Sequence, residues 1–146
     1  MALELRAPDE LTQGEAFDVE VVLTGTGNVG AMEVTLDLPA GEFEVLGVSS
    51  GSLLAEARLL GPARNGDAVR VGAFALEGAS LDGSSVVVVV RLRALVAGAN
   101  QIDATRAVVS TDRGAAYTVT ADGVDISPEP WAPRGVAYLP SLSRAR

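Results

Sequence analysis

The sequence contains no cysteine and no histidine, and all 11 of its basic residues are arginine. Without cysteine there is no disulfide framework, no zinc–thiolate site and no thiol nucleophile. Without histidine the ordinary general base at neutral pH and the commonest zinc ligand are missing. Without lysine, Schiff-base and Ser–Lys chemistry fall away as well. Carboxylates, Ser, Thr, Tyr and Arg remain, which excludes most hydrolase triads and points away from an enzyme.

Aromatic residues are scarce, at 4%. The net charge of −8 repels nucleic acid and anionic lipid, so neither is an expected partner. No apolar run reaches the length of a bilayer span, so no membrane insertion is expected. The start Met-Ala-Leu-Glu-Leu-Arg lacks the basic, apolar, small-residue order of a signal peptide, so for a secreted parent the export signal is expected outside this chain.

What is present is short-range alternation. A chain of 146 residues suits one domain, and its 48% hydrophobic content is mostly Val, Leu and Ala. Leu3 and Leu5 alternate with Glu4 and Arg6. Phe17, Val19, Val21 and Leu23 form a second strand pattern, and Met32, Val34 and Leu36 a third. Phe43 and Val45 follow, then an ambiguous apolar stretch over 53–60 that could hold a helical turn. Asn65-Gly66 signals a hairpin before Val69, Val71, Ala73 and Ala75. Residues 86–95 read as a long central strand, 102–109 as another, and Ala121-Asp122-Gly123 as a second hairpin-like signal.

These patterns predict an all-β fold, a roughly nine-stranded antiparallel sandwich over residues 1–127. Residues 128–146 change composition at Pro128-Glu129-Pro130-Trp131 and read as a Pro-rich linker or tail, with Val136, Tyr138 and Leu139 able to add an edge strand.

Gly25, Gly27 and Gly30 match the GxGxxG expression of dinucleotide sites. The residues after Gly30 alternate like a strand instead of opening a helix toward phosphate, so a flexible turn is the better reading. EF-hand spacing is absent. The loop carboxylates Asp112, Asp122 and Asp125 could meet Ca²⁺, although solvated turn residues are the simpler account; no other cofactor or metal is expected. Glycoside hydrolysis needs a carboxylate pair, and no spacing singles one out among the 19 acids. Phe74, Tyr117, Trp131 and Tyr138 are the aromatics left for a sugar platform. Phe74 shares the off-core parity of its strand with Arg70 and Gly72, the pattern of an interface anchor.

Taken in order, 13–21 (QGEAFDVEV), 29–37 (VGAMEVTLD), 43–48 (FEVLGV) with 51–54 (GSLL), the strand over 86–95, 97–100 (AGAN) and 123–126 (GVDI) resemble the cohesin family across almost the whole domain. The resemblance implies a nine-stranded jelly roll that receives a dockerin module in extracellular, cellulosome-type assemblies, without catalysis. It also implies a binding face built from the third, fifth, sixth and eighth strands, here 31–38, 55–60, 68–75 and 101–109. Outward candidates by parity are Glu33, Thr35, Asp37, Arg70, Gly72, Phe74, Asp103 and Thr105. Where the family often carries an aromatic-Asp-Pro, this sequence has Leu36-Asp37-Leu38-Pro39. Cohesin-like folds also occur in surface proteins with other partners. Two further readings stand beside this one: a subunit of an extracellular filament or surface layer, self-assembling with residues 135–140 of the tail as donor strand, and a carbohydrate-binding module.

Overall fold

The computed structural model describes residues 1–131. Eight strands follow in order: β1 (Ala2–Arg6), β2 (Ala16–Asp37), β3 (Phe43–Ser50), β4 (Arg58–Asn65), β5 (Ala68–Ala94), β6 (Asn100–Ser110), β7 (Thr120–Asp122) and β8 (Val124–Ile126). No helix occurs among the described residues; the ambiguous stretch over 53–60 becomes a turn leading into β4.

Two strands decide the architecture. β2 and β5, of 22 and 27 residues, are too long for one layer, and they pair antiparallel with each other along almost their whole length. In the first layer, the part of β2 from Ala16 pairs with β1 and with the end of β5, while β3 lies on the far side of β5 and β7 runs parallel to β1. In the second layer, the part of β2 from Ala31 to Asp37 lies between the start of β5 and β6, with β4 outside β5 and β8 outside β6. A single hydrogen-bonded ladder thus folds over on itself into a sandwich.

The period-two patterns place the core between the layers. Phe17, Val19, Val21 and Leu23 are buried from the first layer, and Met32, Val34, Leu36, Val69, Val71 and Ala73 from the second. Leu3, Phe43, Val90, Leu92, Ile102 and Val109 join the same continuous cluster, and among the described residues no polar side chain is buried with them. Alternation of this kind hides one side of each strand and leaves the other for solvent or a partner.

Of three local expectations, the Asn65-Gly66 hairpin is met between β4 and β5 and the other two differ from the structure. The glycine-rich segment at 25–30 is not a turn: it lies inside β2, opposite residues 79–83 of β5, with register irregularities at Val21/Val22 and Val29/Ala31. Glycines and bulges let a strand bend without ending, which is how β2 passes from one layer to the other. The Asn65-Gly66 hairpin forms one residue later, because Asn65 still pairs with Ala68 and the loop is Gly66-Asp67. The Ala121-Asp122-Gly123 segment is not a hairpin. β7 joins β1 in one layer and β8 joins β6 in the other, so the chain crosses between layers at Gly123.

The bend in β2 is held by Tyr117, whose hydroxyl donates a 2.6 Å hydrogen bond to the Asn28 carbonyl. Gly27, at φ 141°, makes room for it: a Cβ there would lie 3.2 Å from the ring carbon that bears the hydroxyl. Tyr117→Phe is expected to lower stability by about 1 kcal/mol, read as a shift in urea midpoint at unchanged slope.

After β8 the chain returns along residues 11–13. Glu129 N–H donates to Leu11 O at 2.8 Å, Gln13 N–H to Glu129 O at 2.8 Å, and Gly98 N–H to Pro128 O at 2.9 Å. The donor strand expected over residues 135–140 lies outside the described residues.

Candidate partner-binding face

The outer side of the second layer can be assembled from strand register alone, because residues directly opposite on neighbouring strands share a face. Across β4, β5, β2 and β6 the first row is Arg58, Phe74, Ala31 and Ser110. The second is Leu60, Gly72, Glu33 and Val108. Ala63, Arg70, Thr35 and Arg106 make the third, and Asn65, Ala68, Asp37 and Asp103 the fourth.

Seven of the eight residues expected outward therefore fall into these rows. Glu33 stands opposite Gly72, Thr35 opposite Arg70, and Asp37 opposite Asp103, with Phe74 opposite Ala31. Thr105 is the exception in register. The β2–β6 ladder shifts between Thr35 and Leu36, so Thr35 pairs with Arg106 and Leu36 with Ala104, leaving Thr105 in the bulge. It is exposed there, and its hydroxyl donates to the Thr35 carbonyl at 3.3 Å.

That bulge also explains what the sequence reading missed. Parity counted back from Asp103 and Thr105 puts Arg106 and Val108 on the wrong side, yet beyond the bulge both face outward. Arg58 and Leu60 were missed for another reason, the lack of a clear period around β4, and Leu76 because it lies just past the 68–75 segment assigned to the face. Leu76 lies where a five-residue step on β5, from Phe74 to Ala79, faces the two-residue step from Ala31 to Val29. The excess chain bows outward and leaves Leu76 88% exposed. With Phe74, Arg58 and Leu53 it borders an open cleft of about 730 Å³.

Gly72 has a packing role at the centre of the face. A Cβ on it would run into the Met32 carbonyl oxygen and lie 3.1 Å from the Glu33 Cα, and the Leu60 side chain closes over the spot at 3.4 Å. The β5–β2 approach is tight here because Gly72 carries no side chain.

The two outer faces differ in charge pairing. On the first layer Arg91 donates to Asp18 at 3.0 Å, Arg93 to Glu44 at 2.9 Å, and Arg6 to Glu4 at 2.7 Å. On the second layer Arg58, Arg70 and Arg106 face outward with Glu33, Asp37 and Asp103, and none of the six forms a salt bridge among the described residues. Exposed apolar side chains join them: Leu60 at 38%, Val108 at 40% and Leu76.

For a metal or a sugar the arrangement offers less. No group of three or more acidic side chains close enough to hold a metal ion occurs among the described residues, and Asp112, Asp122 and Asp125 do not come together as one. Among the aromatics considered for a sugar platform, Phe74 and Tyr117 are half-buried and Trp131 is exposed at the opposite chain end, while Tyr138 lies outside the described residues.

No family model matches the sequence, and no curated protein matches it. Solved structures do. A non-cellulosomal cohesin from Archaeoglobus fulgidus, 19% identical, aligns over 98% of this chain and 100% of its own with a TM-score of 0.71. The cohesin module of a Clostridium perfringens family 33 glycoside hydrolase, 18% identical, aligns over 87% and 95% with a TM-score of 0.76. A type I cohesin from Clostridium thermocellum, solved in complex with a dockerin, is 10% identical over 89% and 95% with a TM-score of 0.71. The chain therefore has the jelly-roll β-sandwich fold of cohesin modules.

Proposed function

We propose that this domain is a non-catalytic cohesin module that binds a dockerin-type protein partner through the outer face of β4, β5, β2 and β6, in an extracellular or cell-surface assembly. The observation that carries the reading is the contrast between the two outer faces. One pairs each of its three arginines, Arg6, Arg91 and Arg93, with a carboxylate, and the other presents Arg58, Arg70 and Arg106 without a salt bridge among the described residues, beside exposed Leu60, Leu76 and Val108. Faces that neutralise themselves suit solvent, whereas apolar anchors ringed by unpaired charges suit a partner. The lack of His, Cys and Lys in the sequence agrees with binding rather than catalysis. The dockerin-bound Clostridium thermocellum cohesin supplies the partner class.

The test is a pull-down with a panel of dockerin modules in calcium, followed by titration calorimetry on any module retained. Phe74→Ala is expected to weaken that complex roughly 30-fold, the cost of truncating an aromatic anchor beside the cleft, with a smaller loss of stability than binding because the ring is half-buried. Retention of no dockerin, or full affinity after Phe74→Ala, would refute the reading. Carbohydrate recognition is less well supported, since the described aromatics form no row across either sheet.

A further inference from the structure

The binding face is striped by charge, and the stripes define the chemistry of what covers it. In the third row Arg70 and Arg106 flank Thr35 on either side, roughly 10 Å apart across two strand spacings. In the fourth row Asp37 and Asp103 are direct cross-strand partners. Like charges placed directly opposite one another on a sheet repel, and a free domain gains nothing from such a pair. Glu33, one row from both arginines, forms a salt bridge with neither. The first two rows carry one charge each, Arg58 and Glu33, and otherwise present Phe74, Leu60 and Val108 as apolar ground beside protruding Leu76.

The other layer shows that this sequence is able to pair its arginines when they serve the fold alone. Arg91 meets Asp18 directly across the β2–β5 ladder. A swap of one Arg with one Asp between the third and fourth rows would do the same on the second layer. Two like-charged rows, each left unneutralised, are the arrangement that an opposing surface completes.

We infer that the partner docks with a striped amphipathic surface: carboxylates over the Arg70–Arg106 row, a cationic side chain over the Asp37–Asp103 pair, and apolar residues over Phe74, Leu60 and Leu76. This rests on the proposed binding face and adds the partner's charge pattern. Because the stripes run across the strands, the partner has one favoured orientation along β5, with its apolar end toward Arg58 and its charged end toward Asn65.

Two measurements test this. The first needs no partner: Asp103→Asn should raise the melting temperature of the free domain by about 1–3 °C by relieving repulsion from Asp37, while Arg70→Gln should not. An unchanged or lower value for Asp103→Asn overturns the repulsion. The second is a nuclear magnetic resonance titration of the labelled domain with two amphipathic helical peptides that share their apolar residues and have Glu and Lys positions exchanged. The peptide whose Glu residues face Arg70 and Arg106 should shift amide signals of Arg70, Phe74, Thr35 and Arg106, and the exchanged peptide should bind at least ~10-fold more weakly.

The double variant Arg70→Glu/Arg106→Glu should invert that preference. Equal binding of both peptides, or shifts centred on the first layer, overturns the inference. Any dockerin retained in the pull-down should likewise lose at least ~10-fold in affinity for the double variant. A retained dockerin indifferent to the double variant sinks the charge pattern and spares the dockerin reading. Preference for the first peptide with no dockerin retained does the reverse.

Discussion

Replacing Phe43 by alanine is expected to destabilise the domain by about 3–5 kcal/mol, close to the limit that a fold of this size tolerates. Phe43 opens β3 opposite Ala94, and its side chain is 1% exposed. The cluster it belongs to is built mostly of Val, Leu and Ala, close-packed on paired strands that limit how far it can relax into the space left behind. The backbone is equally fixed. Phe43 N–H donates to Pro39 O at 3.0 Å, Leu95 N–H to Glu42 O at 2.8 Å, and Arg64 reaches both the Leu38 carbonyl at 2.7 Å and the Phe43 carbonyl at 3.3 Å. A cavity walled by paired strands and a clamped loop stays open, and its lining loses dispersion contacts outright. Urea denaturation followed by tryptophan-independent circular dichroism gives the number. A loss below about 1 kcal/mol would mean that this end of the sandwich can collapse, contrary to the geometry.

The second large effect lies in the candidate face itself. Gly72→Val is expected to cost about 3 kcal/mol in stability and to weaken partner binding as well. A side chain here would press on the Met32 carbonyl and on Glu33, and a branched one most of all. β5 cannot step aside, because it is hydrogen-bonded to β2 on one edge and β4 on the other. Displacing Leu60, which lies over the glycine, would roughen the proposed docking surface. Thr35→Val, one row away on the same face, is the control and should alter stability by no more than about 0.5 kcal/mol. Denaturation and calorimetry on both variants separate crowding at Gly72 from a general intolerance of the face to branched residues. Equal stability of Gly72→Val and the parent chain would refute the tight approach of β5 to β2.

Much of the candidate face was legible because period-two alternation is local. Val69, Val71 and Ala73 identify the inward side of β5, so Arg70, Gly72 and Phe74 must point out; the same logic yields Glu33, Thr35 and Asp37 on β2. It failed wherever a strand gains a residue. One bulge on β6 set Thr105 apart and hid Arg106 and Val108, whereas Leu76 keeps the parity of Phe74 and lay only past the 68–75 segment assigned to the face. A bulge leaves little trace in sequence, since it is fixed by what the partner strand can pair with.

The glycines at 25–30 show the same division. As sequence they read as a turn, because glycine favours turns and alternation stops there. In the fold they are the middle of a strand, since residues 79–83 of β5 pair alongside and carry the ladder through the bend.

By itself the sequence determined the β class, the inward side of the regularly alternating segments of β1, β2 and β5, and the absence of His, Cys and Lys chemistry, for these depend only on residue type and on neighbours two positions away. Tertiary structure alone decided that four strand segments, from β4, β5, β2 and β6, lie side by side, and that arginines fill one row and aspartates the next. Register between strands distant in sequence is set by how the two layers close over a shared core, and no local pattern records it.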